Sequence, residues 1–65
     1  MNYNKLNIIP GDVVQLDTTF RNTSRVRVVN ISPNGMFSRV HNAELDNPTD
    51  NDCWDVMTNR LSLIE

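Results

Sequence analysis

Four basic side chains stand at strand spacing in the middle of the chain: Arg25 and Arg27, then Arg39 and His41, with Phe37 beside the second pair. Guanidinium groups are planar forks that bond carboxylates or phosphates in pairs, and a neighbouring aromatic ring offers a surface on which a base or an apolar side chain can stack. The set therefore suits contact with a partner protein or, as the alternative, with nucleic acid. A competing reading is a solvated face whose arginines pair with Asp17, Glu44 or Asp55, since exposed ion pairs contribute only about 0 to 1 kcal/mol. Acidic groups gather further along, at Glu44, Asp46, Asp50, Asp52 and Asp55. Asp-x-Asp spacing opens calcium loops, but the glycine and closing glutamate of such a loop are missing. The segment reads as a solvated loop or a contact for a basic partner, with Asp50 and Asp52 foremost. Cys53 and His41 are the residue types of a nucleophile and its base, yet no orienting third group or oxyanion device accompanies them. No catalytic residue, metal site or cofactor is expected, and the chain reads as a non-enzyme.

A hairpin must position the basic face. Val26, Val28 and Val40 alternate with the charged residues, so a strand puts the valines on one side and the charges on the other. Between the two strands, Ser32-Pro33-Asn34-Gly35 has proline where its fixed φ favours a turn, followed by the two residues that best tolerate positive φ. With Ser32 and Met36 flanking the turn directly, the register pairs Ile31 with Phe37, Val29 with Arg39, Val28 with Val40, and Arg27 with His41. The apolar side changes partway, because Val29 and Ile31 fall on the arginine face while Asn30 and Ser38 fall on the valine face. A strand of this pattern is bent or bulged, here between Val28 and Asn30, so that its halves serve two sheets of a barrel.

Around the hairpin the elements are short. Residues 1–7 read as a loosely ordered lead-in, with order beginning near Leu6, Ile8 and Ile9. Pro10-Gly11-Asp12 is turn chemistry, and Val13 to Asp17 follows as a strand with Val14 and Leu16 inward. Thr18 to Ser24 reads as an excursion loop, either irregular or with two ragged strand-like arms, pinned to the core by Phe20. After His41, residues 42–52 form an acidic surface loop, the most mobile segment expected. Cys53 to Thr58 alternates as a fourth strand, with Trp54 as core anchor. Thr58 to Leu61 suits one 3-10 turn, and residues 62–65 close the sheet.

At 65 residues and 38% hydrophobic content the chain is expected to be one domain with a small core. A net charge of -2 argues against a general polyanion-binding field. Cys53 is the single cysteine, which excludes an internal disulfide and suits a reducing compartment. No apolar run approaches the roughly 18 residues of a membrane span, so no membrane partner and a cytoplasmic location are expected. Exposed strand edges in so small a sheet allow either a monomer or an edge-paired homodimer.

The order Gly11-Asp12-Val13-Val14 opening a strand, a bent Arg25 to Ile31 strand, a tight turn, then Trp54-Asp55-Val56 and Asn59-Arg60-Leu61-Ser62-Leu63 resembles the SH3-like small β-barrels of bacterial and bacteriophage proteins. The resemblance is one of layout, spans roughly Gly11 to Glu65, and implies an all-β antiparallel barrel of about five strands with a 3-10 turn before the last. Members of this broad class bind peptides, nucleic acids or RNA polymerase, and the expectation for this chain is an accessory module that binds and modulates a host or partner protein. The excursion loop holds Phe20 but no acid, which argues against proline-rich ligands. The expected contact set is Arg25, Arg27, Phe37, Arg39 and His41, with Asp50 and Asp52 second.

Overall fold

Valines at every second position make the second strand the spine of the molecule. In the computed structural model, which describes residues 2–64, Val26 and Val28 are 0% and 1% exposed while Arg25 and Arg27 face solvent. Five antiparallel strands form one curled sheet, a half-barrel: β1 Val13–Phe20, β2 Thr23–Ile31, β3 Phe37–Asn42, β4 Trp54–Met57 and β5 Leu61–Leu63, in the order β4-β3-β2-β1-β5. Two 3-10 turns complete it, Asp50–Asp52 before β4 and Thr58–Arg60 before β5. The layout is compatible with an SH3-like barrel.

The β2–β3 register corrects half of the expected pairs. Arg27 lies opposite His41 and Val28 opposite Val40, but Asn30 faces Arg39 and Ile31 faces Ser38. The pairs Val29 with Arg39 and Ile31 with Phe37 do not form. The cause is the turn, in which Ser32 N–H donates to Phe37 O at 2.8 Å while Asn34 Oδ1 accepts from Met36 N–H at 3.0 Å. Side-chain bonding thus takes Met36 into the loop and shifts the ladder by one residue. The irregularity between Val28 and Asn30 restores it, with Val29 as the unpaired residue. The bend sits where the pattern change placed it, and it curls a single sheet instead of dividing β2 between two.

The expected excursion takes the form of its strand-like arms, which are continuous with the flanking strands. β1 runs on to Phe20 and β2 starts at Thr23, joined by Arg21 and Asn22 at φ 52° and 63°. Two consecutive left-handed residues are the geometry of a two-residue hairpin turn whose twist matches the strands. Pairing holds at Gln15 with Arg25 and at the tip, Phe20 with Thr23, and slips between them. Leu16 instead pairs across to Leu61 of β5.

Ile8, Val14, Leu16, Val26, Val28, Val40, Val56 and Leu61 form the core, with Ile31 and Trp54 partly buried against it. Trp54 is therefore a flank of the core and not its anchor, and Phe20, 46% exposed, does not enter the core. Alternation with Val40 places Ser38 inside at 0% exposure. Its hydroxyl lies 2.7 Å from that of Thr58, and Thr58 N–H donates to Met36 O at 2.8 Å, which fastens the second 3-10 turn to β3.

Residues 2–8 cross one end of the half-barrel as a strap. Tyr3 N–H donates to Asn34 O at 2.8 Å, and the Asn4 side chain bonds both backbone groups of Ile8, at 2.7 and 3.0 Å. Those bonds set Ile8 into the core. The strap crosses so close to Gly35, at φ +78°, that a Cβ there would stand 2.6 Å from Asn4 N. Gly11, at φ +99°, has nothing within 4 Å of its Cβ position. Either glycine replaced by alanine forces a side chain onto positive φ, at about 1 to 2 kcal/mol. Gly35→Ala must also displace the strap. In urea unfolding, Gly35→Ala is expected to cost at least about 1 kcal/mol more than Gly11→Ala, and equal losses would contradict the close crossing.

Candidate functional site

The outer face of the sheet carries the basic residues, and two of the three arginines are partly engaged within the fold. Arg27 Nη1 donates to Gly11 O at 2.8 Å. Arg39 Nη1 stands 3.4 Å from Asp55 Oδ1, and its Nη2 donates to Asp50 O at 3.3 Å. The Arg25 side chain is exposed and makes no hydrogen bond or ion pair among the described residues. Of the competing expectations, the solvated-face pairing therefore holds for Arg39 with Asp55. Asp17 pairs elsewhere, with Arg60.

His41 departs from its expected place. Strand alternation aims it outward with Arg39, yet it is only 4% exposed, with Nδ1 2.8 Å from Asn42 O. The acidic loop accounts for this. Asp50 O on Arg39 carries the first 3-10 turn onto this face, and Asp52 lies within electrostatic reach of His41. His41 is thus covered and unavailable to a partner. Asp52 is likewise committed, since its carboxylate accepts Thr49 N–H at 2.8 Å and Thr49 Oγ1–H at 3.1 Å. Those two bonds, the backbone one foremost, hold the Asp52 carboxyl below the usual range. Asp50 keeps its side chain in solvent.

Phe37 is where the face becomes apolar. It is 46% exposed and directly opposite Met57, 43% exposed, on the outside of β3 and β4. From Met57 the surface continues into a groove of about 560 Å³ between the strap and the second 3-10 turn, walled by Tyr3, Leu6, Met36, Met57 and Leu61 with Lys5 beside them. Met57 was legible from its alternation with Asp55. Tyr3 and Leu6 were not, because nothing in the lead-in reads as a strand or helix.

A second cluster closes the opposite side. The Phe20 and Trp54 rings lie 5.1 Å apart, and the Arg21 guanidinium stands 5.5 and 5.0 Å from their centroids while Nη1 donates to Asn51 O at 3.0 Å. The β1–β2 tip is thereby clasped to the loop before β4. Next to it a cleft of about 140 Å³ separates β1 from β4. There Arg60 Nε donates to both oxygens of Asp17, at 3.0 and 3.2 Å, and its Nη2 donates to Thr18 Oγ1 at 2.9 Å. The hydrogen bond from Arg60 lowers the Asp17 pKa and raises that of Arg60.

The Cys53 thiol lies 3.5 Å from Thr49 O. No group of three or more His, Cys, Asp or Glu side chains is arranged to hold a metal ion among the described residues. No described helix is long and apolar enough to cross a membrane. Comparison with protein-family models, curated proteins and solved structures finds no match, so geometry carries the functional reading.

Asp17 and Asp52 have folded pKa values below the unfolded value of about 3.9. Each therefore stabilises the fold when ionised, fully above that value, and the contribution is lost as pH falls through the folded pKa. Thermal unfolding followed by circular dichroism should show a midpoint that drops below about pH 4. The double variant Asp17→Asn, Asp52→Asn is expected to have a lower midpoint at pH 7 and a shallower acid decline. An acid slope identical to the unaltered protein would refute the assignment.

Proposed function

We propose that this chain is a small, non-catalytic, cytoplasmic interaction module that binds a partner protein through the outer surface of the β3–β4 pair. The observation that carries this reading is the exposed pair of Phe37 and Met57 on the outside of the sheet. An outer sheet face is ordinarily polar, and aromatic residues and methionine are the types enriched where proteins meet. Arg39 borders the pair, and Arg25, Arg27 and Asp50 supply rim charges that favour orientation over affinity. His41 and Asp52 drop out of the contact set for the reasons above. The net charge of -2 favours a selective protein contact over a general grip on polyanions. The free thiol of Cys53 supports a reducing compartment. Size and half-barrel layout suit an accessory protein of the bacterial or bacteriophage kind that modulates a host protein.

A second reading, nucleic-acid binding, is favoured only by Arg25, whose guanidinium is unengaged among the described residues, with Arg27 on the same exposed face. Phosphate contacts release counterions, so that reading demands affinity that falls steeply with salt.

The test places a photo-crosslinking amino acid at Met57 and recovers tagged protein from native lysate after nuclease treatment. A discrete protein adduct is expected, reduced about tenfold when Phe37→Ala removes an anchor worth roughly 1 to 2 kcal/mol. An adduct unaffected by Phe37→Ala in a folded protein rejects this face. Recovery abolished by nuclease and by moderate salt moves the assignment to nucleic acid.

A further inference from the structure

Asn34-Gly35 joins an amide side chain to the backbone nitrogen best able to attack it, because glycine has no side chain to shield that nitrogen. No other asparagine in the chain precedes a glycine. The reaction needs only water and a solvent base. The Gly35 nitrogen gives up its proton and bonds to Asn34 Cγ, and the side-chain nitrogen takes a proton and leaves as ammonia. The resulting five-membered imide then adds one water. Opening at Cγ gives aspartate; opening at the main-chain carbonyl carbon gives isoaspartate, in which the chain runs on through the side-chain carbons.

The turn prepares one half of this reaction and blocks the other. Asn34 is exposed, and its Oδ1 accepts from Ser32 Oγ–H and from Met36 N–H, each at 3.0 Å. Two donors on that oxygen draw electron density from Cγ, the atom attacked, as the donors of an oxyanion hole do. The nucleophile is locked instead. The peptide between Asn34 and Gly35 is held at both ends, its carbonyl accepting Tyr3 N–H and its N–H donating to Ser32 O, both at 2.8 Å. Gly35 is buried, with Asn2 and Asn4 of the strap lying against it. A solvent base reaches its N–H only when the strap lifts, a local opening that leaves the sheet intact.

We propose that Asn34 is a self-modification site gated by the strap, and that its isoaspartate product releases the strap for good. Isoaspartate lengthens the main chain by one carbon, and the carbonyl that holds Tyr3 N–H leaves the chain as a free carboxylate. The turn then no longer sets Gly35 beneath Asn4, and Tyr3, Lys5 and Leu6 lose the footing that makes them one side of the groove. Aspartate at this position keeps the chain length and the acceptor oxygen, so the strap stays. The inference is independent of the protein-binding reading.

Incubation at mildly alkaline pH, with mass-spectrometric peptide mapping of every asparagine over time, tests the site and its gate. Asn34 is expected to convert ahead of all others, and at least about fivefold faster in Asn4→Ala, which removes both bonds to Ile8. Asn4→Asp keeps the acceptor for Ile8 N–H and should fall between; it carries the comparison if Asn4→Ala does not fold. Conversion no faster at Asn34 than elsewhere overturns the site, and equal rates in the unaltered protein and the folded Asn4 variants overturn the gate. Hydrogen exchange on the purified isoaspartate form should show the Tyr3 amide exchanging at least about fivefold faster than in Asn34→Asp. Equal exchange in the two overturns the release of the strap.

Discussion

One unpaired residue in β2 sets the shape of the molecule. The turn after β2 shifts the ladder by a residue, and a shift of that size, carried through, would turn every later side chain to the opposite face of the sheet. Val29 absorbs it. On one side of the bulge Arg27 and His41 pair on the outer face and Val28 and Val40 on the inner one, while on the other Asn30 turns outward beside Arg39 and Ile31 inward beside Ser38. A hydroxyl in an apolar core needs a partner, because an unsatisfied one costs about 1 to 3 kcal/mol. Thr58 is that partner, so the inward Ser38 hydroxyl fixes where the second 3-10 turn docks. That turn in turn sets the corner between β4 and β5. The alternation of β3 that puts Ser38 inside the core leaves the Phe37 ring outside it.

The end of the barrel obeys a second constraint, which is that the strap can lie down only where a side chain is missing. Gly35 supplies that gap, and its positive φ lets the turn present Asn34 O to Tyr3. Asn4 then folds the chain back on itself, bonding Ile8 at both backbone groups, and Ile8 fills the core. The groove is a by-product of this arrangement, since Tyr3, Lys5 and Leu6 form one of its sides. Structure and candidate site therefore share a cause in the turn at residues 32–36.

Much of this could be read from the residues. Valine alternation, the turn and the bend between Val28 and Asn30 all follow from local rules of period and φ, and the all-β half-barrel with its late 3-10 turn followed from them. What escaped was set by contacts between distant segments. The turn gained a residue through side-chain hydrogen bonds that no periodicity reveals. Phe20 was read as a core residue because an aromatic in a polar loop ordinarily seeks burial, but it found the flank of Trp54 and a guanidinium instead. His41 obeyed alternation, and the loop that covers it could not be foreseen from strand spacing. Asn4, in a stretch with no pattern, does its work through two backbone bonds four residues away.

The electrostatics of the outer face follow from the same placement. Arg39 is held between a carboxylate and a carbonyl, Arg27 is on a carbonyl, and Arg60 is forked onto Asp17. Pairs this exposed are screened by solvent, so they orient side chains more than they stabilise the fold. Their consequence for recognition is larger. A guanidinium partly held by the protein's own groups has fewer donors left for a phosphate, whereas an exposed phenyl ring gains from any apolar surface that displaces water, at about 25 cal/mol per Å². Around Phe37 and Met57 the charges are mostly cancelled and the apolar area is not. The face is thus built to discriminate by shape and apolar burial more than by charge.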